Sequence, residues 1–417
     1  MDRGAGAWLF LLGCWLVEAM VWGFPLAFGI FQSYYTTHPL FSSSKSIPTI
    51  GALAVGVSYL GVPLTSPITL RYPRYNVHIL IFGWLLCIFS LALASFATQT
   101  WHLILTQGAM YGTGWVICYT PFLIMLNDWF SARRGLAYGV LFGASGVSGL
   151  IIPFLLEALL AHFGFRNTLR IYAAAMIIIS GPSMFLIRPR IPVHFQRAPS
   201  SAVNSKRRHY NFLANPLTYV FGFSILLQGL AFPLPPTFLP SYARVLALPP
   251  SSGDMLLAVN SLAQVTGQIL LGHFSDTLST HIPHAVASLV SGLAVLTLWG
   301  PATGVGSLVA FATLWGAFSG SYSVSWTKIA AGMSEGEDDT AGATMMLYAW
   351  FSFERGVADI LAGPISSILL GNEVDLGTYG LGKWKGVIVF SGAVLLLSSA
   401  GGLAWFWERW RGKRVMK

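Results

Sequence analysis

The sequence predicts an all-α integral membrane protein with twelve transmembrane helices arranged as two six-helix bundles. Three observations carry that prediction. First, 54% of the 417 residues are apolar and only 9% are Asp, Glu, Lys or Arg, against roughly 25% charged residues in an average soluble protein; the mean hydropathy is +0.64. Second, apolar runs recur from end to end with the length a hydrocarbon core demands, about 20 helical residues. Third, one long polar stretch, residues 188–215, with six basic residues and Pro189, Pro192 and Pro199, parts six runs from six. So little charge cannot cover a soluble domain of this size, and the hydrophobicity is too high for a disordered chain.

In order, the runs are 8–31, 48–69, 77–98, 101–126, 136–160, 168–187, 217–241, 254–273, 283–301, 304–328, 341–370 and 385–407. The first is too long for the apolar part of a secretory signal, contains Glu18 and lacks a clear cleavage site, so it reads as the first spanning helix. The ninth and tenth are parted only by Pro301, Ala302 and Thr303. The polar stretch gives a division into 1–190, a linker 191–215 and 216–417. Orientation follows from the asymmetry of Lys and Arg. With the N-terminus inside, 17 of the 24 basic residues fall on the cytoplasmic side and 6 outside, while Arg355 lies within a run. Both termini are therefore expected in the cytoplasm, and the plasma membrane is the expected location. The net charge of +9 reflects this sidedness rather than a nucleic-acid partner, because the basic residues stand singly or in short clusters between apolar runs. Cys14, Cys87 and Cys118 each sit inside an apolar run and read as packing residues.

Three segments carry a family likeness. The entry to the first run is Asp2-Arg3-Gly4-Ala5-Gly6-Ala7-Trp8; ahead of the fifth stands Trp129-Phe130-Ser131-Ala132-Arg133-Arg134-Gly135-Leu136-Ala137-Tyr138-Gly139; in the eleventh, Arg355-Gly356 precedes Gly363-Pro364-Ile365-Ser366. Together with the six-plus-six plan they resemble the monocarboxylate-transporter-like, fungal branch of the major facilitator superfamily. That resemblance implies the major facilitator fold, with a substrate site between two pseudo-symmetric halves near the midplane. The superfamily's loop motif, Gly-x-x-x-Asp-Arg-x-Gly-Arg, survives in part. Gly272 and Asp276 keep its Gly and Asp after the eighth run, whereas after the second only Arg71 and Arg74 remain, with Leu70 in place of the acid and Pro73 in place of the glycine. The resemblance makes these residues, with Arg133, Arg134 and Gly139, a conformational latch on the cytoplasmic side, weaker in the first half.

Polar groups inside the runs mark function or a buried partner, since an ionisable side chain at the bilayer centre costs at least about 2.5 kcal/mol. Glu18 stands ten residues past Trp8, roughly 15 Å along a helix, a depth that suits a group taking up and releasing a proton. Structural packing is the equal alternative. Glu354, Arg355 and Asp359 share the eleventh run; Arg355 and Asp359, spaced i, i+4, pair within the helix, either to orient it or to leave Arg355 for an anionic carboxylate. Asn260, Gln264 and Gln268 form one polar stripe on the eighth run, which lipid cannot satisfy. In animal monocarboxylate carriers an Asp and an Arg occupy the places of Gln264 and Gln268, and a Lys follows the proline corresponding to Pro25, where this chain has Leu26. The resemblance therefore does not carry lactate or pyruvate across.

The resemblance also implies that the first, fourth, seventh and tenth helices line the cavity. Trp22, then Tyr111, Trp115 and Tyr119 at i, i+4, i+8, and Ser319, Tyr322, Ser323 and Trp326 fall on them, although packing or an interfacial belt explains single aromatics equally well. The set suits a larger aromatic or polyketide-like molecule. Gly135, Gly139 and Gly143 have the spacing of a close helix crossing. No nucleophile elbow, zinc signature or phosphate-binding loop occurs, and His273, His281 and His284 match no metal spacing. The expected function is secondary active transport rather than enzymatic. Proton-linked export of a secondary metabolite or organic acid is favoured, and proton-coupled uptake of a small monocarboxylate is the alternative. The expected partners are a small-molecule substrate and the lipid bilayer, with no cofactor, no metal and a monomeric state.

Overall fold

The computed structural model describes residues 4–42, 44, 46–190, 211–249, 251–278, 281–335, 339–371 and 373–403. Asp2 and Arg3, the basic linker 191–210 and the basic C-terminal cluster fall outside them. Among the described residues the chain is helical, with no strand. α1 (Ala5–Leu26) and α2 (Phe28–Thr37) form one entry helix interrupted at Ala27. Pro25 is the cause: it has no N–H to offer the carbonyl of Val21, four residues back. α3 (Ile47–Leu60) and α4 (Val62–Arg71) bend at Gly61, with Pro63 and Pro67 following. α5 (Asn76–Ala94) is regular, and α6 (Tyr111–Trp129) is entered through a wide π-type turn, Ile104–Met110. α7 (Arg134–Ser180) runs for 47 residues. A straight helix of that length would measure about 70 Å, more than twice a bilayer core. Gly164, at φ +68°, breaks it, so the loop expected between the fifth and sixth runs contracts to one left-handed glycine.

The second part comprises α8 (Pro216–Ala231), α9 (Leu234–Val245), α10 (Ser252–Thr277) and α11 (His281–Ala294). α12 (Val305–Leu314) and α13 (Val324–Met333) follow, separated by a π-type turn, Trp315–Ser319, and an irregular turn through 320–323. α14 (Thr340–Leu369) and α15 (Lys385–Ser398) close the described chain. Among the described residues nine helical stretches are long and apolar enough to cross a bilayer. The difference from the expected twelve has three physical sources. Arg134–Phe185 counts once although it holds two expected runs, the tenth run is broken before α13, and α14 carries Glu354, Arg355 and Asp359.

The most extensive helix contact in the molecule is α7 against α10, and α14 packs along α3 and α4. One apolar core runs through residues 7–187 and on into Phe221, Trp326, Ile329, Leu347, Tyr348 and Phe351. A second gathers α8, α9, α12 and α15 around Trp299, Trp315 and Trp384. Large apolar side chains such as Phe82, Phe89, Ile178, Phe185 and Ile368 stay exposed, as expected where the solvent is hydrocarbon.

Candidate functional site

Where α1, α3, α6, α13 and α14 converge, aromatic rings surround a carboxyl group. Trp22 lies 4.8 Å from Trp115 and 5.8 Å from Tyr59, centroid to centroid. Trp115 stacks on Tyr119 at 4.2 Å. The Tyr119 hydroxyl meets that of Tyr348 at 3.3 Å, and Tyr348 packs against Trp326 at 6.2 Å. Tyr119 precedes the linker and Tyr348 follows it, so the cluster bridges the two parts of the chain. Glu18, 1% exposed, projects into this group, and neither carboxyl oxygen has a hydrogen-bond partner among the described residues. The indole of Trp22, one turn on, is the donor beside it but falls short of hydrogen-bond geometry. The buried Trp326 Nε1 is also unpartnered. Such orphaned polar atoms are rare in folded proteins, because each costs about 1–3 kcal/mol, and here acceptor and donor fall within one cluster.

Tyr59 lies within electrostatic reach of Glu18 on one side and of Arg355 and Asp359 on the other. Arg355 is held by three contacts. Nε donates to Asp359 Oδ2 at 3.0 Å, Nη1 donates to Gln228 Oε1 at 2.6 Å, and the guanidinium lies 4.3 Å from the Phe232 ring. The predicted i, i+4 pair therefore forms, with a third member from α8. On α10 the predicted stripe divides its partners. Gln264 Nε2 donates to Ser145 Oγ on α7 at 3.3 Å, buried Gln268 donates to the Gly320 carbonyl at 3.1 Å, and Asn260 Oδ1 has no partner among the described residues.

Two other predicted residues stand apart from the cluster. The Tyr111 hydroxyl donates to the Val21 carbonyl at 2.6 Å. That carbonyl is the one Pro25 leaves without a donor, which gives this tyrosine a structural duty. Tyr322 belongs to a hydroxyl network around buried His284. Its Oη lies 2.7 Å from His284 Nε2 and 2.9 Å from Ser224 Oγ, while Ser325 Oγ lies 2.9 Å from Nδ1. Among the described residues no group of three His, Cys, Asp or Glu could hold a metal.

A seam joins the start of α7 to the end of α10. Asp276 accepts from the N–H of Gly135 at 2.8 Å through Oδ1 and from that of Leu136 at 2.9 Å through Oδ2. These are the first free donors of α7, where an acid is favoured both by hydrogen bonding and by the helix dipole. Lys328 of α13 reaches Asp276 Oδ1 at 3.1 Å and the Ser275 carbonyl at 2.6 Å. A Cβ on Gly139 would collide with the Gln268 carbonyl, and one on Gly272 with that of Gly135, whereas Gly143 has ordinary clearance. Around the seam, Arg134 Nε donates to the Phe130 carbonyl, and Arg133 immediately precedes α7. After α4, Arg71 lies over Tyr72 and Arg74 is exposed, and at the start of α14 Asp339 accepts from Gly342 N at 3.0 Å.

Of the predicted residues, Glu18, Trp22, Trp115, Tyr119 and Trp326 come together, and Arg355 with Asp359 lies next to them through Tyr59. Tyr59, Tyr348, Gln228 and Lys328 are not singled out by the sequence. Gln228 was accessible by the same reasoning as Gln264, being an amide in an apolar run. Tyr348 stands seven residues before Arg355, two helical turns and hence one face. Tyr59 leaves no such signal.

Residues 10–253, more than half of the chain, match the Major Facilitator Superfamily, and the chain belongs to that family. The Agnestins efflux protein AgnL12 of Paecilomyces divaricatus is 27% identical over 395 residues, covering 93% of this chain and 86% of its own length. Monocarboxylate transporter 13 of Bos taurus is 28% identical over 307 residues, 72% of this chain and 67% of its own. Among solved structures, the human organic anion transporter MFSD10 aligns with a TM-score of 0.67 over 96% of this chain and 100% of its own, at 15% identity, a likeness of fold. The chain is thus a membrane transporter with fungal efflux and monocarboxylate-transporter-like relatives, as the three motifs imply.

Proposed function

We propose that this transporter is a secondary active carrier that exports a secondary metabolite or organic acid by alternating access, linked to proton movement. In this reading twelve spans form two six-helix halves, 1–190 and 216–417, joined by the cytoplasmic linker 191–215. Both termini are cytoplasmic and the membrane is the plasma membrane. The observation that carries the proposal is Glu18, buried without a hydrogen-bond partner among the described residues, inside an aromatic cluster with members on both sides of the linker. A carboxyl so placed is held neutral most cheaply, and becomes a proton carrier when one half moves away and water enters. The rings supply broad apolar faces for a planar organic molecule, with few polar anchors. Relatives named as efflux proteins support the direction. The neutral Gln264 and Gln268 weigh against lactate-like cargo. In the proposed orientation the Asp276 seam shuts the cytoplasmic end.

The test compares the metabolites of the source organism with and without the chain, in cells and in medium. Export predicts a compound that accumulates in the cells and disappears from the medium when the chain is deleted. It further predicts that a protonophore reproduces the deletion. Loss of uptake of an added monocarboxylate, with secreted metabolites unchanged, would replace export by the competing reading.

A further inference from the structure

The tenth expected run is broken between Ser319 and Val324; among the described residues the break leaves the Gly320 carbonyl without a backbone donor and the Ser319 carbonyl with only a long one, from the Tyr322 N–H at 3.4 Å, and lipid cannot make up the difference. Two glutamines from neighbouring helices supply the donors. Gln268 Nε2 donates to Gly320 O at 3.1 Å, and Gln228 Nε2 donates to Ser319 O and Oγ, both at 3.2 Å. Gln228 is 1% exposed, and its other end, Oε1, accepts from Arg355 Nη1 at 2.6 Å. One amide thus joins the buried arginine to the break. Arg355 Nη2 has no hydrogen bond among the described residues, so the fork keeps one open edge. Past the break lies α13, which carries Trp326 into the aromatic cluster and Lys328 onto the Asp276 seam.

We infer that Gln228 is a positioning residue that transmits the state of Arg355 to α13, and through Lys328 to the seam between α7 and α10. An anionic oxygen that engages the open edge at Nη2 draws the guanidinium toward itself and weakens the bond from Nη1 to Gln228 Oε1. When Oε1 loses that donor it is a buried acceptor left unpaired, and the amide gains by turning away from Ser319. The charge-assisted bond at Oε1 also polarises the Nε2 donors, so its loss weakens the hold on Ser319 even before the amide turns. The Ser319 carbonyl then keeps only its long bond from the Tyr322 N–H while Gln268 still holds Gly320, so the break is loosened, and α13 and with it Lys328 are held less firmly against Asp276. The substrate class this implies is an organic molecule bearing a carboxylate or a comparable anionic oxygen. The inference rests on the proposed carrier function and adds to it that Arg355 faces the substrate path. Its test involves no substrate, so the two fail separately.

Backbone hydrogen exchange of the full chain in lipid nanodiscs supplies the test, read at 319–326 and at Gly135 and Leu136. Gln228→Met and Arg355→Met should each accelerate exchange at 319–326 about tenfold, the worth of one buried hydrogen bond. Both should also accelerate exchange at Gly135 and Leu136, whose N–H groups Asp276 holds. Because the two residues act in series, the double variant should show no more than the larger single effect. Gln228→Glu, which keeps an acceptor for Arg355 but when ionised has no donor for Ser319, should loosen 319–326 while leaving α14 protected. Additive effects in the double variant, an unchanged 319–326 in Arg355→Met, or faster exchange at 319–326 with none at Gly135 and Leu136 would each overturn the inference. A general rise that includes α5 identifies a misfolded variant, in which case Gln228→Glu decides.

Discussion

Glu18 and Arg355 show two ways of keeping an ionisable side chain inside a helical membrane protein. Arg355 is satisfied by Asp359, Gln228 and the face of Phe232, and breaking any one of these exposes the cost of the rest. Glu18 has no hydrogen-bond partner among the described residues, so its cost is avoided while it stays protonated or meets a ligand. The two predict different variant behaviour. Glu18→Gln preserves shape and removes titration. It should leave downhill exchange of the exported compound near the wild-type rate and abolish accumulation against a gradient, measured in proteoliposomes with and without an imposed pH difference. A wild-type response to the pH difference would remove Glu18 from proton coupling. Arg355→Lys keeps the charge but loses the planar fork, and is expected to lower protein abundance as well as transport, because Asp359 and Gln228 can no longer both be satisfied.

At the level of elements, the seam between α7 and α10 combines close approach with one acid. Gly139 faces the Gln268 carbonyl with no room for a Cβ, and backbone cannot swing aside as a side chain can. Gly139→Ala should therefore lower stability by about 1–3 kcal/mol, seen as a reduced melting temperature in detergent, with a larger proportional loss of transport; an unchanged melting temperature would show that the helices separate at little cost. Asp276→Asn replaces a carboxylate that accepts from two N–H groups and Lys328 with an amide that offers only one acceptor. Charge-assisted hydrogen bonds are worth about 1.5–3 kcal/mol, so exchange at Gly135 and Leu136 should rise by about tenfold or more. Unaltered exchange there would mean the seam is held by packing alone. The same acid is missing after α4, where Leu70 stands, and α14 relies on Asp339 of its own chain segment. The two sides of the seam are thus built unequally.

Across the whole molecule, the proposed orientation rests on charge sidedness, and it is tested chemically. A single cysteine at Ser201, in the linker outside the described residues, should react with a membrane-impermeant maleimide only from the cytoplasm, and one at Thr378 only from outside; the reverse pattern would invert the topology. The apolar character of the runs and the family were legible from composition, spacing and three motifs, because transfer into lipid depends on each segment's own side chains. Glu18 and the i, i+4 pairing of Arg355 with Asp359 were legible for the same reason, since depth and helical phase are local properties. Tyr111 and Tyr322 show where this reading stops. Both lie on helical stripes indistinguishable from that of Trp115, yet one serves the carbonyl freed by Pro25 and the other a histidine network.

What the sequence by itself determined is therefore the membrane class, the order of apolar runs and which residues are costly to bury. Only the tertiary structure decided that Glu18 has no hydrogen-bond partner among the described residues, that Tyr59 and Tyr348 complete its surroundings, and that Gln228 joins Arg355 to the break before α13. Those contacts link residues up to 229 positions apart. Their existence depends on how helices rotate and cross, which is settled by packing among many side chains at once and leaves no periodic trace in any single segment.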